Sequence, residues 1–208
     1  MADAHHESKT ALLNAAICVI RIKGYAATRI EDICAAADLT KGSFFHHFKT
    51  KEELAVAAAG HWSTGVCDLF TGAAYRQLPD PLDRVLGYVD LRKSMLSGAL
   101  PEFSCFAGTM IQEIYETHPA IRDACEKSIT AHVAFVRSDI EDAMRRYCED
   151  PQFSADSLAS YIQAVIQGAI ILAKANQDPT ACLDHLRRYV EMLFTSPRLA
   201  PSVSRRLQ

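Results

Sequence analysis

Residues 28–54 read TRIEDICAAADLTKGSFFHHFKTKEEL, and the fold turns on how this run divides. Thr28-Arg-Ile-Glu31 has the spacing of a capping box. The threonine hydroxyl accepts from the N–H three residues on, and the glutamate reaches back to the Thr28 N–H. This predicts a short helix over 29–37. Asp38-Leu39-Thr40 then reads as a three-residue turn, with Thr40 as N-cap of a second short helix over 41–47. Thr50-Lys-Glu-Glu53 repeats the box and opens a longer helix to about residue 73. Two short helices joined by such a turn fit a helix-turn-helix unit. In that unit the first helix braces the backbone and the second enters the major groove.

On the wheel of the second helix, Phe44 and Phe48 stand at i, i+4 and share a face that Leu39 can join from the turn. Lys41, Gly42, Ser43, Phe45 and His46 are left facing outward or sideways. Residues 39–51 hold Lys41, Lys49 and Lys51 and no acid, a local +3 on a chain whose net charge is −3. Nucleic-acid affinity must therefore come from a local patch. Lys41 can reach a guanine edge or a phosphate. Gly42 lets helix and DNA approach closely, and Ser43 can hydrogen-bond to either. Thr28, Thr40 and Lys51 sit at helix starts, where unpaired N–H groups favour phosphate. His46 reads as a DNA-facing donor and His47 as a partly buried, satisfied histidine. Adjacent residues diverge by about 100° on a helix, so the pair does not chelate one metal ion.

Outward from this run the pattern stays helical. Leu13, Ile17 and Ile20, widened by Leu12 and Ala16, form the apolar stripe of a helix over 8–23 that Gly24 ends. Residues 1–7 read as a polar arm. After Pro79 and Pro81, helices are predicted to about residue 96, over 103–115, from 118 to 147, over 154–175 and over 179–194. A break is predicted at 97–101 and a loose tail after 195. The expected fold class is all-α: a helix-turn-helix domain over 1–54, then a larger ligand-binding and dimerisation domain over 55–208. The 208 residues are 49% hydrophobic and 23% charged, as in soluble globular proteins. The seven cysteines are scattered, with no CxxC pair, which fits free thiols in a reducing cytoplasm. No signal core is present, and no apolar run approaches the ~20 residues that span a bilayer. No GxSxG, HExxH, P-loop or GxGxxG stands in the right context, so neither an enzyme nor a cofactor is expected.

Through residues 8–55 the chain resembles the TetR family of bacterial transcriptional regulators. The matched positions are Thr28, Ile33, Ala36, Ala37, Leu39, Thr40, Lys41, Gly42, Ser43, His47, Phe48, Lys51, Glu52 and Leu54. The family usually has tyrosine where this chain has Phe45, whose ring lacks the hydroxyl that would donate to phosphate but can still pack on the DNA backbone. The resemblance implies a homodimer on a pseudopalindromic double-stranded operator, a ligand pocket in the larger domain, and repression relieved by a small apolar or amphipathic effector.

By the same resemblance, the pocket lies between the 103–115 helix, the helix before it with Tyr88 and Arg92, and the long helix with His132, Phe135 and Val136. Phe106, Met110 and Ile114, at i, i+4, i+8, are either a pocket wall or core. Trp62, the only tryptophan, is either core or pocket floor. Cys105, at a helix start, is either an inert thiol or a sensor of electrophiles or oxidants. Helices 154–175 and 179–194 match the family's dimer bundle. Ala164, Gly168, Ile171, Leu172 and Ala175 are the candidate contacts on the first; Leu186, Val190 and Leu193 are those on the second. Two other readings stay open: a regulator switched through Cys105, and a helical adaptor that has lost DNA binding.

Overall fold

The computed structural model describes residues 2–96, 103–175 and 178–195. Helix α1 (Ala2–Lys23) begins earlier than its apolar stripe required. It ends at Gly24, whose φ is 82° and whose N–H donates to the Ile20 carbonyl at 2.8 Å. A Cβ on Gly24 would lie 2.7 Å from a Glu113 carboxylate oxygen. The left-handed conformation favours glycine there, and an added methyl would push the Glu113 carboxylate aside.

Helix α2 (Ile30–Ala36) opens differently from the expected capping box. The N-cap is Arg29, and its N–H donates to Asp32 at 2.9 Å. The Thr28 hydroxyl instead turns back and donates to the Gly24 carbonyl at 2.6 Å, near the α1 terminus where carbonyls lack helical partners. Asp38, with φ 53°, makes the left-handed step that aspartate tolerates. It delivers the chain to α3 (Lys41–His47), where Thr40 accepts from the Ser43 N–H at 3.2 Å. Helix α4 (Lys51–Thr71) is capped by Thr50, which accepts from the Glu53 N–H at 3.0 Å. The Glu53 carboxylate goes to the Lys49 N–H at 2.8 Å, one residue earlier than the box predicts.

A 3₁₀ turn (Ala74–Gln77), not foreseen, leads to α5 (Pro81–Ser94). Then come α6 (Phe106–Ile114), α7 (Pro119–Tyr147), α8 (Ala155–Lys174) and α9 (Thr180–Thr195). Among the described residues there is no strand. The break predicted at 97–101 and the tail after 195 fall mostly or wholly outside the described residues. Helix α6 is shorter than expected because Cys105 caps it, its Sγ accepting from the Gly108 N–H at 3.3 Å.

Two apolar clusters hold these helices. One joins Leu12, Ile20, Ile33, Phe44 and Leu54 to Phe106, Met110 and Ile121, so the core beneath the helix-turn-helix continues past residue 54. The other gathers Val85, Tyr88, Ile140, Ile162, Ile166 and Val190. Beside it Asp139, 4% exposed, accepts from Arg76 and, at 2.8 Å, from Arg84. This ties the 3₁₀ turn and α5 to α7.

Helix α8 is 20 residues long and contains an 18-residue window of mean hydropathy 1.3, long and apolar enough by length and composition to cross a membrane. Its inner face, including Leu158, Ile162 and Ile166, is core, and its outer face adds exposed Tyr161, Ile171 and Leu172. The periodic reading registered only one of these two faces.

Candidate DNA-binding face and effector cavity

Phe44 and Phe48 are 0% and 3% exposed and fix α3 to the first core. That leaves Lys41, Gly42, Phe45 and His46 exposed and Ser43 half-buried. A Cβ on Gly42 would meet nothing nearer than Thr40 Oγ1, at 3.5 Å. Lys41 pairs with Glu31 of α2, and its hydrogen bond holds the Glu31 carboxyl below the usual carboxylate range. His47 is half-buried and meets Ser8 Oγ at 2.7 Å, joining α3 to α1. A groove beside α3 brings together Thr28, Arg29, Glu31, Lys41, Phe45 and Lys51.

Two of the expected phosphate contacts are otherwise engaged. The Thr28 side chain is 1% exposed and its hydroxyl is bonded within the chain. Lys51 Nζ donates to the carbonyls of Tyr25 and Thr28, both at 2.9 Å, and lies 4.1 Å from the Tyr25 ring centroid. Burial lowers its pKa. Lys51 thus clasps the α1–α2 turn, where unmet carbonyls collect. Lys51→Met is expected to cost about 1 kcal/mol of stability, the low end for a charged donor because the site is partly exposed. Urea titration checks this; an unchanged midpoint would mean that water replaces the ammonium. Arg29, exposed on the same groove, was passed over in the sequence because Thr28 took the capping role.

The second feature is a cavity of about 340 Å³. Of the candidate effector residues, Trp62, Arg92, Cys105 and His132 line it. Tyr88, Phe106, Met110 and Ile114 do not: they are at most 3% exposed and belong to the cores. Helix α6 packs between α1 and α7, so its i, i+4, i+8 stripe is used for packing. Phe135 stands behind His132, stacked at 6.5 Å. The sequence reading missed the contributions of α1 (Asn14, Ile17, Arg21), of α4 (Leu69, Phe70) and of Gln163. No periodic signal marks them, since α1 reads only as a helix of the DNA-binding unit.

The cavity also touches the connection between the two parts. The Arg21 guanidinium carbon lies 4.9 Å from the Trp62 ring centroid, and Arg21 Nε donates to the Ser104 carbonyl at 2.6 Å. Glu113 of α6 accepts from the N–H groups of Tyr25 at 2.6 Å and Ala26 at 2.8 Å. The end of α1 is therefore tied to α6 and to the strand of chain leading into it.

His132 Nε2 meets the Tyr88 hydroxyl at 2.9 Å. Burial, with Arg92 nearby, pushes the His132 pKa down from 6.5 to about 3. The folded chain thus holds it neutral at pH values where the unfolded chain would protonate it. Its contribution to stability is full above about pH 6.5 and is lost as pH falls from there toward 3. Between pH 7.5 and 5, wild type should lose about 2 kcal/mol more than His132→Gln in urea titrations. Parallel losses in the two proteins would mean that the ring protonates without cost.

The expected dimer contacts divide. Leu186 and Val190 are 2% and 0% exposed and lie inside the protomer core, so they cannot form a subunit interface. Leu193 packs half-buried against the same core. Ala164, Ile171, Leu172 and Ala175 are exposed and Gly168 is half-exposed. Tyr161, Tyr189 and Met192 extend this outer surface, with the two tyrosines edge to face at 5.4 Å. The inner stripe of α9, Leu183-Leu186-Val190-Phe194, has the same spacing as an interface stripe would, so periodicity could not tell them apart.

Residues 7–58 match the family described as "Bacterial regulatory proteins, tetR family", and residues 81–190 match "Tetracyclin repressor-like, C-terminal domain". The chain is 25% identical over 180 residues to the uncharacterized HTH-type transcriptional regulator YxaF of Bacillus subtilis, across 85% of this chain and 90% of that one. It is 45% identical over 56 residues to the HTH-type transcriptional regulator CymR of Pseudomonas putida, across 27% and 28% of the two chains. A TetR transcriptional regulator from Chloroflexus aurantiacus superposes with a TM-score of 0.80 at 25% identity, covering 93% of this chain and 97% of that one. The reduced form of E. coli NemR shares the fold, with a TM-score of 0.78 at 19% identity over 93% and 100%. With both its helix-turn-helix segment and more than half of its length matched, the chain belongs to the TetR family and is a helix-turn-helix transcriptional regulator.

Proposed function

We propose that the chain is a cytoplasmic, homodimeric repressor that binds a pseudopalindromic double-stranded operator and releases it when a small molecule enters the cavity. The observation that carries this reading is the presentation of α3. Its apolar side is anchored by Phe44 and Phe48, while Lys41, Gly42, Phe45 and His46 are exposed to solvent on its other side. Arg29, Lys41 and Lys49 position the helix on phosphates, and Lys41 and Ser43 read base edges. Thr40 keeps its N-terminal turn in order. The exposed apolar residues Tyr161, Ile171 and Leu172 of α8, continued by Tyr189 and Met192, support the dimer, since a contiguous exposed apolar patch marks an interaction surface. Because α1 and α6 both contribute to or border the cavity, an occupant bears directly on the element that carries α3.

Selection of bound sequences from random duplex DNA tests the proposal. The expected product is a two-fold symmetric site with half-sites about one turn, ~34 Å, apart or a similar groove-to-groove distance. An asymmetric single half-site would remove the dimer from the reading, and no enrichment would remove operator binding.

A second reading has its own support. Cys105 is half-buried, borders the cavity and caps α6, and one relative is described by its reduced form. In this version an electrophile or oxidant acts on the Cys105 thiol. Limited alkylation followed by mass spectrometry separates the two, since the thiol reading requires Cys105 to react faster than the other cysteines.

A further inference from the structure

The charges around the cavity are one-sided. Arg21 and Arg92 both line it, and among the described lining residues there is no aspartate or glutamate. Several other arginines have acid partners: Arg84 pairs with Asp139 and Asp142, Arg137 with Glu141 and Asp156, Arg187 with Asp90 and Glu191. Arg92 is half-buried, its guanidinium carbon 5.6 Å from the Phe70 ring centroid. Among the described residues it has no carboxylate partner. A cation in an apolar wall loses hydration without regaining it from an anion. Lined by Trp62, Leu69, Phe70 and Met95, the wall also keeps the local field strong.

Two further observations agree. His132, on the same wall, is held neutral partly by Arg92. The side-chain amide of Gln163 also lines the cavity, with its oxygen buried and without a hydrogen-bond partner. Turned over, that amide offers an N–H to an anion's oxygen.

From this geometry we infer that the effector is an amphipathic anion, a monocarboxylate whose head group pairs with Arg92 and whose apolar body lies against Trp62, Phe70 and Leu69. The inference rests on the reading of the cavity as the effector site. A cavity of about 340 Å³ lies at the low end of the ~300–1,000 Å³ of small-molecule pockets, which favours a compact ligand. A cationic amphiphile would face two arginines, and a neutral one would seal Arg92 from water without pairing it.

Octanoate, octanamide and octylammonium test this, being matched in size and different in charge. Trp62 lines the cavity and is the only tryptophan, so its emission reports occupancy directly, and calorimetry checks for silent binding. Octanoate is expected to bind at least about 10-fold more tightly than octanamide, as one charge-assisted contact gives. Octylammonium should bind most weakly. In Arg92→Gln the octanoate preference should fall to within about 3-fold, and Arg92→Lys should restore part of it. Equal or better binding of the amide or the ammonium would overturn the anionic assignment while leaving a ligand cavity in place. Absence of binding by all three would overturn it too. If octanoate binds with the expected selectivity but the operator stays bound, the anion site stands and ligand-released repression falls.

Discussion

Gly42→Ala is expected to leave the protein folded and weaken operator binding more than any other single methyl group added to α3. The fold has room for it, since the nearest atom to a Cβ would be Thr40 Oγ1 at 3.5 Å. Alanine also favours a helix over glycine, so stability should rise by up to about 1 kcal/mol. The cost appears only when DNA arrives, because the new methyl stands on the side of α3 that must approach the groove. If each recognition helix loses the equivalent of one base contact, about 1–3 kcal/mol, a two-fold dimer loses about 2–6 kcal/mol. That corresponds to operator binding weaker by roughly 30-fold to 10⁴-fold. Anisotropy titration at fixed salt, beside a urea melt of the same preparation, separates the two effects. Unchanged affinity would mean that α3 does not approach DNA closely at Gly42. Gly24→Ala makes the contrast: there the backbone is left-handed and the methyl would meet Glu113, so folding should suffer.

Asp139→Ala is expected to lower the unfolding free energy by about 3–5 kcal/mol, the range for removing one member of a buried ion pair. Asp139 is 4% exposed and accepts from both Arg76 and Arg84. The variant removes a shared carboxylate from two partly buried guanidinium groups at once. Arg84 keeps Asp142 at 3.0 Å, whereas among the described residues Arg76 keeps the Phe135 ring, 4.8 Å away, and no carboxylate. Asp142→Ala, removing a carboxylate that is 41% exposed, should cost under about 1 kcal/mol. Urea titrations at one protein concentration measure both, because in the proposed dimer apparent stability depends on concentration. A loss below about 1 kcal/mol in Asp139→Ala would show that the arginines find other partners. The cluster also matters for the cavity: it locks α5, which carries Arg92, against α7, which carries His132.

The helix-turn-helix was legible because its determinants are local. Thr40 caps α3 by accepting from the Ser43 N–H three residues on, and Phe44 and Phe48 share a face by helical spacing alone. Gly24 and the proline before α5 punctuate the chain in ways that depend on backbone geometry. Where local rules offered two partners, the reading failed. Thr28 could cap α2 or return to the Gly24 carbonyl, and the packing of α1 against α2 chose the second. Lys51 lies beside a basic recognition helix in sequence, yet its ammonium reaches back to carbonyls 26 and 23 residues away.

The cavity and the subunit surface lay furthest from what sequence could give. Phe106, Met110 and Ile114 have the pattern of a buried face whether the neighbour is a ligand or another helix. Leu186 and Val190 have the pattern of an interface whether the partner is a second subunit or α5 and α8 of the same chain. Periodicity states that a face is covered and leaves open by what.

The amino-acid sequence alone determined the helical class, the position of the recognition helix and the residues it turns outward, since these follow from spacing, capping and side-chain size within a few residues. Only the tertiary structure decided which apolar stripes are core, which cations are engaged, and that Arg21, Arg92 and Gln163 border one cavity with Trp62. Those outcomes depend on which helices meet across the chain, and no short-range rule fixes that meeting.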